Sequence, residues 1–122
     1  AVISGYWRNK MNIQIFGKKK CFDTKKAERW FKERRIKYQY IDLVTKGVSP
    51  GEYRSIRAAV GSFDALVDKS CRAYEEQYMA YITPQAAEEK LLDYPEIFAA
   101  PIVRNGRQAT VGYCPDIWQT WE

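Results

Sequence analysis

The 122-residue chain has no histidine and only three cysteines. The lack of histidine excludes Cys-His and Ser-His catalysis and every zinc site that needs an imidazole ligand. The cysteines, Cys21, Cys71 and Cys114, lie 50 and 43 residues apart, unlike the paired framework of a secreted disulfide-rich protein. We therefore predict no metal site and a cytoplasmic location. Any chemistry must come from thiol, lysine, arginine, carboxylate or backbone groups.

The sequence also lacks a long apolar run. The longest one, from Ile97 to Val103, is interrupted by Pro101 and is far shorter than the roughly 20 residues that cross a bilayer, so no membrane association is expected. Residues 1–10, AVISGYWRNK, have no apolar central stretch and are interpreted as an N-terminal extension or a cloning remnant. Residues 11–122 are expected to form a single domain, because a chain of this length can bury one core.

The first forty residues show the pattern of a strand, a helix and a second strand. Residues 12–16, NIQIF, alternate apolar and polar side chains before Gly17. Residues 24–35 place Ala27, Trp30 and Phe31 on one helical face. Residues 36–43, IKYQYIDL, are rich in β-branched and aromatic residues, so we predict a βαβ unit with parallel strands.

A helical block follows. Two of its segments carry a capping residue, a proline at the first helical position and a stop signal: Ser49, Pro50 and Gly61 in one, Thr83, Pro84 and Pro95 in the other. The intervening SFDALVDKSCRAYEEQYMAY predicts two short helices broken near Ser70.

The chain ends with the pattern of a β-hairpin and a last helix. APIVR and QATVG are joined around Asn105 and Gly106, and Pro115 opens the helix. The order β, α, β, helical block, β, β, α is the thioredoxin arrangement, an α/β fold with a mixed four-stranded sheet. In this arrangement Cys21 lies at a helix N-terminus and faces Pro101, whose bond to Ala100 is expected to be cis.

Three stretches, CFDTKKAERWF, LVDKSCRAY and PIVRNGRQATVGY, resemble the arsenate reductase family, which includes ArsC and the regulator Spx. The resemblance covers Met11 to Trp121. It implies a thiol-dependent oxidoreductase without a bound prosthetic group, which uses glutathione or another thiol as co-substrate and a glutaredoxin-type reductant as partner. The alternative is a non-enzymatic, Spx-like regulator that binds the RNA polymerase alpha subunit.

The same resemblance assigns roles to individual residues. Cys21 is the expected catalytic nucleophile, Cys71 a possible resolving thiol, Lys20 and Arg72 the anion-binding residues, and Pro101 the structural cis-proline. The chain departs from the family at two positions. Ala100 replaces an arginine that the reductases carry before the proline, so arsenate reduction is expected to be weak. Thr24 replaces the second cysteine of the redox-sensing regulators, which excludes a local Cys-x-x-Cys switch.

Read by itself, Cys21 allows two interpretations. Five lysines within five residues and a helix N-terminus would stabilise a thiolate and make Cys21 the most reactive of the three thiols. Alternatively, Cys21 is a small turn residue beside lysines that point to water.

Residues 18–37 hold ten Lys/Arg against three Asp/Glu, a net charge of 10 − 3 = +7 that exceeds the +5 of the whole chain. This segment is either a solvated helix face or a surface for acidic partners. Direct nucleic-acid binding is not expected, because no aromatic residues interleave with the lysines to stack bases.

Overall fold

The computed structural model describes residues 12–121, so the interpretation of residues 1–10 lies outside the described part of the chain. The strands are β1 (Ile13–Gly17), β2 (Tyr38–Asp42), β3 (Ile102–Asn105) and β4 (Gln108–Val111). The α-helices are α1 (Phe22–Glu33), α2 (Leu43–Lys46), α3 (Pro50–Val60), α4 (Arg72–Glu76), α5 (Pro84–Asp93) and α6 (Pro115–Gln119). Short 3-10 turns span Asp64–Leu66, Met79–Tyr81 and Pro95–Ile97.

The strands form one mixed sheet in the order β2-β1-β3-β4. β1 and β2 are parallel, as predicted for a βαβ unit, with Ile15 opposite Tyr40. β3 runs antiparallel to both β1 and β4, and the hairpin turns at Gly106, whose φ of 60° suits a glycine. The predicted thioredoxin-like arrangement with a mixed four-stranded sheet is thus confirmed.

Each face of the sheet buries its own apolar cluster, because neighbouring strand residues point to opposite sides. On one face, strand residues pack against α1 and α6: Ile13, Ile15, Val103, Ala27, Trp30, Phe31 and Trp118. On the other face, strand residues pack against α3, α5 and the chain before β3: Phe16, Ile41, Ile102, Tyr53, Ile56, Leu91, Ile97 and Phe98. The helical face predicted from Ala27, Trp30 and Phe31 is buried as expected.

Two of the predicted helix starts are confirmed in atomic detail. The Ser49 hydroxyl accepts from the Glu52 amide at 3.2 Å and the Glu52 carboxylate accepts from the Ser49 amide at 3.1 Å, which completes a capping box. The Thr83 hydroxyl accepts from the Ala86 amide at 3.2 Å. Gly61 ends α3 in the left-handed conformation, with φ of 81°.

Several predicted elements differ from the structure in their bounds or type. Two strands begin later than predicted, β2 at Tyr38 and β3 at Ile102. α1 begins at Phe22, not at Thr24, and the strand predicted to run to Leu43 ends at Asp42, whose carboxylate caps α2 by accepting from the Val44 amide at 2.9 Å. The helix predicted before Ser70 is a 3-10 turn followed by an extended segment. That segment is extended because it pairs with the chain before β3, through Asp68 N–H to Ile97 O at 2.8 Å.

Among the described residues, no helix has both the length and the apolar character needed to cross a membrane.

Candidate functional site

Cys21 occupies the N-cap position of α1. Its backbone is extended, with φ of −90° and ψ of 120°, and its amide donates to Lys18 O at 3.1 Å, which closes the tight turn after β1. Its carbonyl accepts from the Lys25 amide at 3.3 Å. The thiol makes no capping hydrogen bond, so it satisfies none of the first-turn amides that lack a partner within the helix.

The thiol of Cys21 contacts the segment before β3. Its Sγ donates to Ala100 O at a distance of 3.7 Å, and the Ala100–Pro101 peptide bond is cis, as predicted. Cys21 and Ala100 are 79 residues apart in sequence. The structure therefore brings together the cysteine and the proline that the sequence assigned to one site.

The segment from Glu96 to Pro101 connects the Cys21 loop to the rest of the fold. The Lys18 ammonium donates to Glu96 O at 2.8 Å, and the Ala99 amide donates to Leu66 O at 2.8 Å. On the other side, the Gly112 amide donates to Pro101 O at 2.8 Å. Sequence reasoning missed these contacts, since a hydrogen bond to a distant backbone carbonyl leaves no signature in the type of the residue that carries that carbonyl.

Thr24 is a second residue whose role the sequence did not show. Its side chain is buried, and its hydroxyl accepts from the Lys18 amide at 3.4 Å. It also packs closely against Gly17, where an added Cβ would lie 3.0 Å from both the Thr24 hydroxyl and the Tyr40 ring. Thr24 thus anchors the Cys21 loop on the end of β1. The one sequence signal for this role was the position of Thr24, three residues after Cys21.

Tyr40 lies at the same end of the sheet. Burial, followed by the charges of Asp42, Glu28 and Cys21, raises the pKa of Tyr40. Its hydroxyl therefore stays neutral at physiological pH and cannot serve as a base there.

The two predicted anion-binding residues differ in their surroundings. Lys20 is exposed in the turn before Cys21 and forms no ion pair among the described residues. Arg72, at the start of α4, pairs with Glu76 at 3.8 Å, and 91% of its side chain is exposed. The ammonium of Lys18, next to the site, donates its hydrogen bond to Glu96 O. Within the described turn before the thiol, Lys19 and Lys20 have neither an ion pair nor a hydrogen bond from the ammonium group, and both are exposed to solvent.

All three cysteines are free thiols. Cys71 occupies the N-cap of α4 and packs against the apolar cluster on the α3 side of the sheet. Cys114 donates to Val111 O at 3.3 Å, and burial raises the pKa of its thiol. Within residues 12–121, no three His, Cys, Asp or Glu residues lie close enough together to hold a metal ion.

The chain is similar to known proteins in sequence and in fold. No family model matches the chain. The global transcriptional regulator Spx 2 of Oceanobacillus iheyensis is 25% identical over 109 residues, which cover 87% of this chain and 80% of the regulator.

Several solved structures share the fold. An ArsC family related protein from Bacteroides fragilis superposes with a TM-score of 0.82 at 20% identity, covering 93% of this chain and 100% of that one. An arsenate reductase from Vibrio cholerae gives 0.81 at 19% identity, with 92% and 98% covered. The predicted resemblance to the ArsC and Spx proteins, and their thioredoxin-like fold, are confirmed.

Proposed function

We propose that this protein is a thiol-dependent oxidoreductase of the ArsC type, in which Cys21 forms a mixed disulfide with its substrate. One observation carries the proposal: the Cys21 sulfur lies at the N-terminus of α1, 3.7 Å from the carbonyl before the cis-proline and within a lysine-rich turn. Cys21 is a free, half-buried thiol, so a second sulfur can reach it, and thiol exchange proceeds by attack of a cysteine sulfur on a disulfide.

The exchange needs two steps. The Cys21 thiolate attacks one sulfur of a substrate disulfide, a new S–S bond forms to that sulfur, and the old S–S bond breaks to release a thiolate that takes a proton from water. A second thiol then attacks the mixed disulfide and frees Cys21. Glutathione or a glutaredoxin-type protein supplies this thiol. Cys71 is the internal candidate, as the sequence resemblance implied.

An oxyanion substrate is less well supported than a disulfide. Ala100 offers no guanidinium, and the ammonium of Lys18 is held by Glu96 O. Arg72 pairs with Glu76, which leaves Lys20 as the candidate anion holder. Losing one charge-assisted grip on an oxyanion costs about 2–4 kcal/mol, or roughly 30- to 1000-fold in rate. Arsenate turnover should therefore be weak, and the variant Ala100→Arg should raise it.

Reaction with oxidised glutathione tests the proposal. We expect one glutathione adduct, located at Cys21 by peptide mass spectrometry and removed by added glutaredoxin. Cys21→Ser should abolish the adduct, whereas the matched control Cys114→Ser should keep it. Persistence of the adduct in Cys71→Ser, with slower release of Cys21, would support a resolving role for Cys71. An adduct at Cys114 or no adduct at all would contradict the proposal.

The similarity to Spx 2 favours a second candidate, a regulator that binds the RNA polymerase alpha subunit without turnover. Both candidates place the protein in the cytoplasm, where the polymerase and the glutathione pool are found. Capture of purified alpha subunit by the immobilised chain, combined with no exchange at Cys21, would favour the regulator.

A further inference from the structure

Two exposed aromatic side chains lie beside the candidate site, and we call them, with the lysine between them, the aromatic rim. Phe22, the first residue of α1, follows Cys21 and is 81% exposed. Tyr113 is 41% exposed, and the Lys26 ammonium lies 5.7 Å from the centre of its ring. Phe22 and Lys26 are four residues apart and therefore neighbours on the surface of α1.

Backbone contacts join the rim to the thiol. The Gly112 amide donates to Pro101 O at 2.8 Å, which holds the residue before Tyr113 against the cis-proline. The Tyr113 ring then packs on the buried ring of Trp118, with 5.6 Å between centres. Tyr113 is thus fixed at the same end of the sheet as Cys21, so the rim belongs to the surroundings of the thiol.

The exposure of Phe22 has no explanation within the fold. The other phenylalanines at this end of the chain, Phe16 and Phe31, are fully buried. A single exposed apolar side chain is common on protein surfaces. Phe22, however, follows the candidate nucleophile and lies one helical turn from Lys26, whose ammonium covers a second exposed ring, and this combination indicates a contact surface. Large aromatic side chains of this kind commonly anchor a bound polypeptide.

The charge around the aromatic rim indicates which kind of partner this surface binds. Side chains exposed on the turn before Cys21 and on α1 are strongly basic: Lys19, Lys20, Lys25, Lys26, Arg29 and Lys32. Residues 18–37 carry a net charge of +7. An acidic polypeptide complements this surface and can also place an apolar side chain on the rim. Glutathione and inorganic oxyanions match the charge, but neither has an apolar side chain to contact Phe22.

We infer, resting on the proposed function, that the substrate of Cys21 is an acidic polypeptide whose cysteine is flanked by an apolar residue that docks on Phe22 and Tyr113. The step is thiol–disulfide exchange: Cys21 Sγ bonds to the sulfur of the polypeptide cysteine, and the partner sulfur of that disulfide leaves as a thiolate.

Three synthetic probes with the same leaving group test the inference. Each probe is a mixed disulfide of thionitrobenzoate with a second thiol. That thiol is an acidic peptide with leucine beside its cysteine in the first probe, the same peptide with glycine in place of leucine in the second, and glutathione in the third. Thionitrobenzoate is the better leaving group, so Cys21 bonds to the peptide or glutathione sulfur. The full chain with Cys71→Ala and Cys114→Ala reports on Cys21 alone. Should that variant fold poorly, wild-type protein with adducts located by mass spectrometry gives the same comparison.

At subsaturating probe, we expect the leucine peptide to react about tenfold faster than the glycine peptide, the factor that corresponds to ~1.4 kcal/mol. Phe22→Ala should remove this difference. The matched control Tyr81→Ala, which truncates an 87% exposed aromatic side chain on the 3-10 turn Met79–Tyr81, should preserve it. Added salt should slow both acidic peptides without changing their ratio.

Equal rates for the leucine and glycine peptides, or equal effects of Phe22→Ala and Tyr81→Ala, would overturn the docking inference while leaving exchange at Cys21 intact. Failure of all three probes to react at Cys21 would instead overturn the proposed function.

Discussion

Gly17 and Thr24 meet where β1 passes into the Cys21 loop, and their contact offers a quantitative test of how that loop is held. A Cβ on Gly17 would collide with the Thr24 methyl group and lie 3.0 Å from the Tyr40 ring. Since the Thr24 side chain is buried and belongs to α1, it cannot move without shifting the start of the helix.

Gly17→Ala should therefore lower the free energy of unfolding by ~1–3 kcal/mol, the usual cost of adding a carbon to a packed site. Thr24→Ser removes the colliding methyl but keeps the hydroxyl that accepts from the Lys18 amide, and by itself should cost about 1 kcal/mol. The double variant should lose ~1–2 kcal/mol less than the sum of the single losses, because the collision is gone. The rescue is partial, since the Tyr40 contact remains.

Urea unfolding of the four proteins measures these differences, provided that the denaturant slope is unchanged. Gly51→Ala is the matched control, because an added Cβ there meets nothing within 4 Å; it should be neutral or slightly stabilising. Additivity of Gly17→Ala and Thr24→Ser within about 0.5 kcal/mol would refute the reasoning, as would a neutral Gly17→Ala.

Three further predictions follow from individual contacts. Iodoacetamide should alkylate Cys21 fastest and Cys114 slowest at neutral pH, because burial raises the pKa of Cys114; peptide mass spectrometry would expose the reverse order. Burial and the hydrogen bond to Glu28 raise the pKa of Tyr38 from 10.0 to about 12, so its contribution to stability is full below pH 10 and is lost as the pH rises through 12. Tyr38→Phe should therefore reduce the fall in the urea midpoint as the pH rises through 12, and an equal fall in both proteins would contradict this role of Tyr38. Ser49→Ala should cost about 1 kcal/mol by opening the capping box, measurable as a lower urea midpoint, and a neutral result would contradict the capping geometry.

Local sequence signals determined most of the secondary structure. The Ser49–Pro50 and Thr83–Pro84 pairs fix two helix starts because a hydroxyl cap and a proline satisfy the helix N-terminus without help from distant residues. The alternation of apolar and polar residues in 12–16 likewise predicted a strand, which the structure forms at Ile13–Gly17.

Tertiary contacts decided where local signals failed. Thr24 resembles a cap, but its hydroxyl serves the Lys18 amide and its methyl fills the space above Gly17, so the helix begins earlier, at Phe22. The segment around Val67 has helical neighbours, yet it is extended because it pairs with Phe98. Such pairing depends on which distant strand edge is available, and the local sequence does not encode it.

The candidate site, too, was predicted only in part from the sequence. The sequence by itself surrounded Cys21 with lysines just before a predicted helix, and the thioredoxin order of the predicted elements indicated Pro101 as its counterpart. Only the tertiary structure decided that the thiol contacts Ala100 O, that the Lys18 ammonium donates to Glu96 O, and that Gly112, the neighbour of Tyr113, donates to the cis-proline carbonyl. The first two contacts join residues 79 and 78 positions apart in sequence, and the third joins the two ends of the β3–β4 hairpin. Such contacts form only when the strands pair in their register.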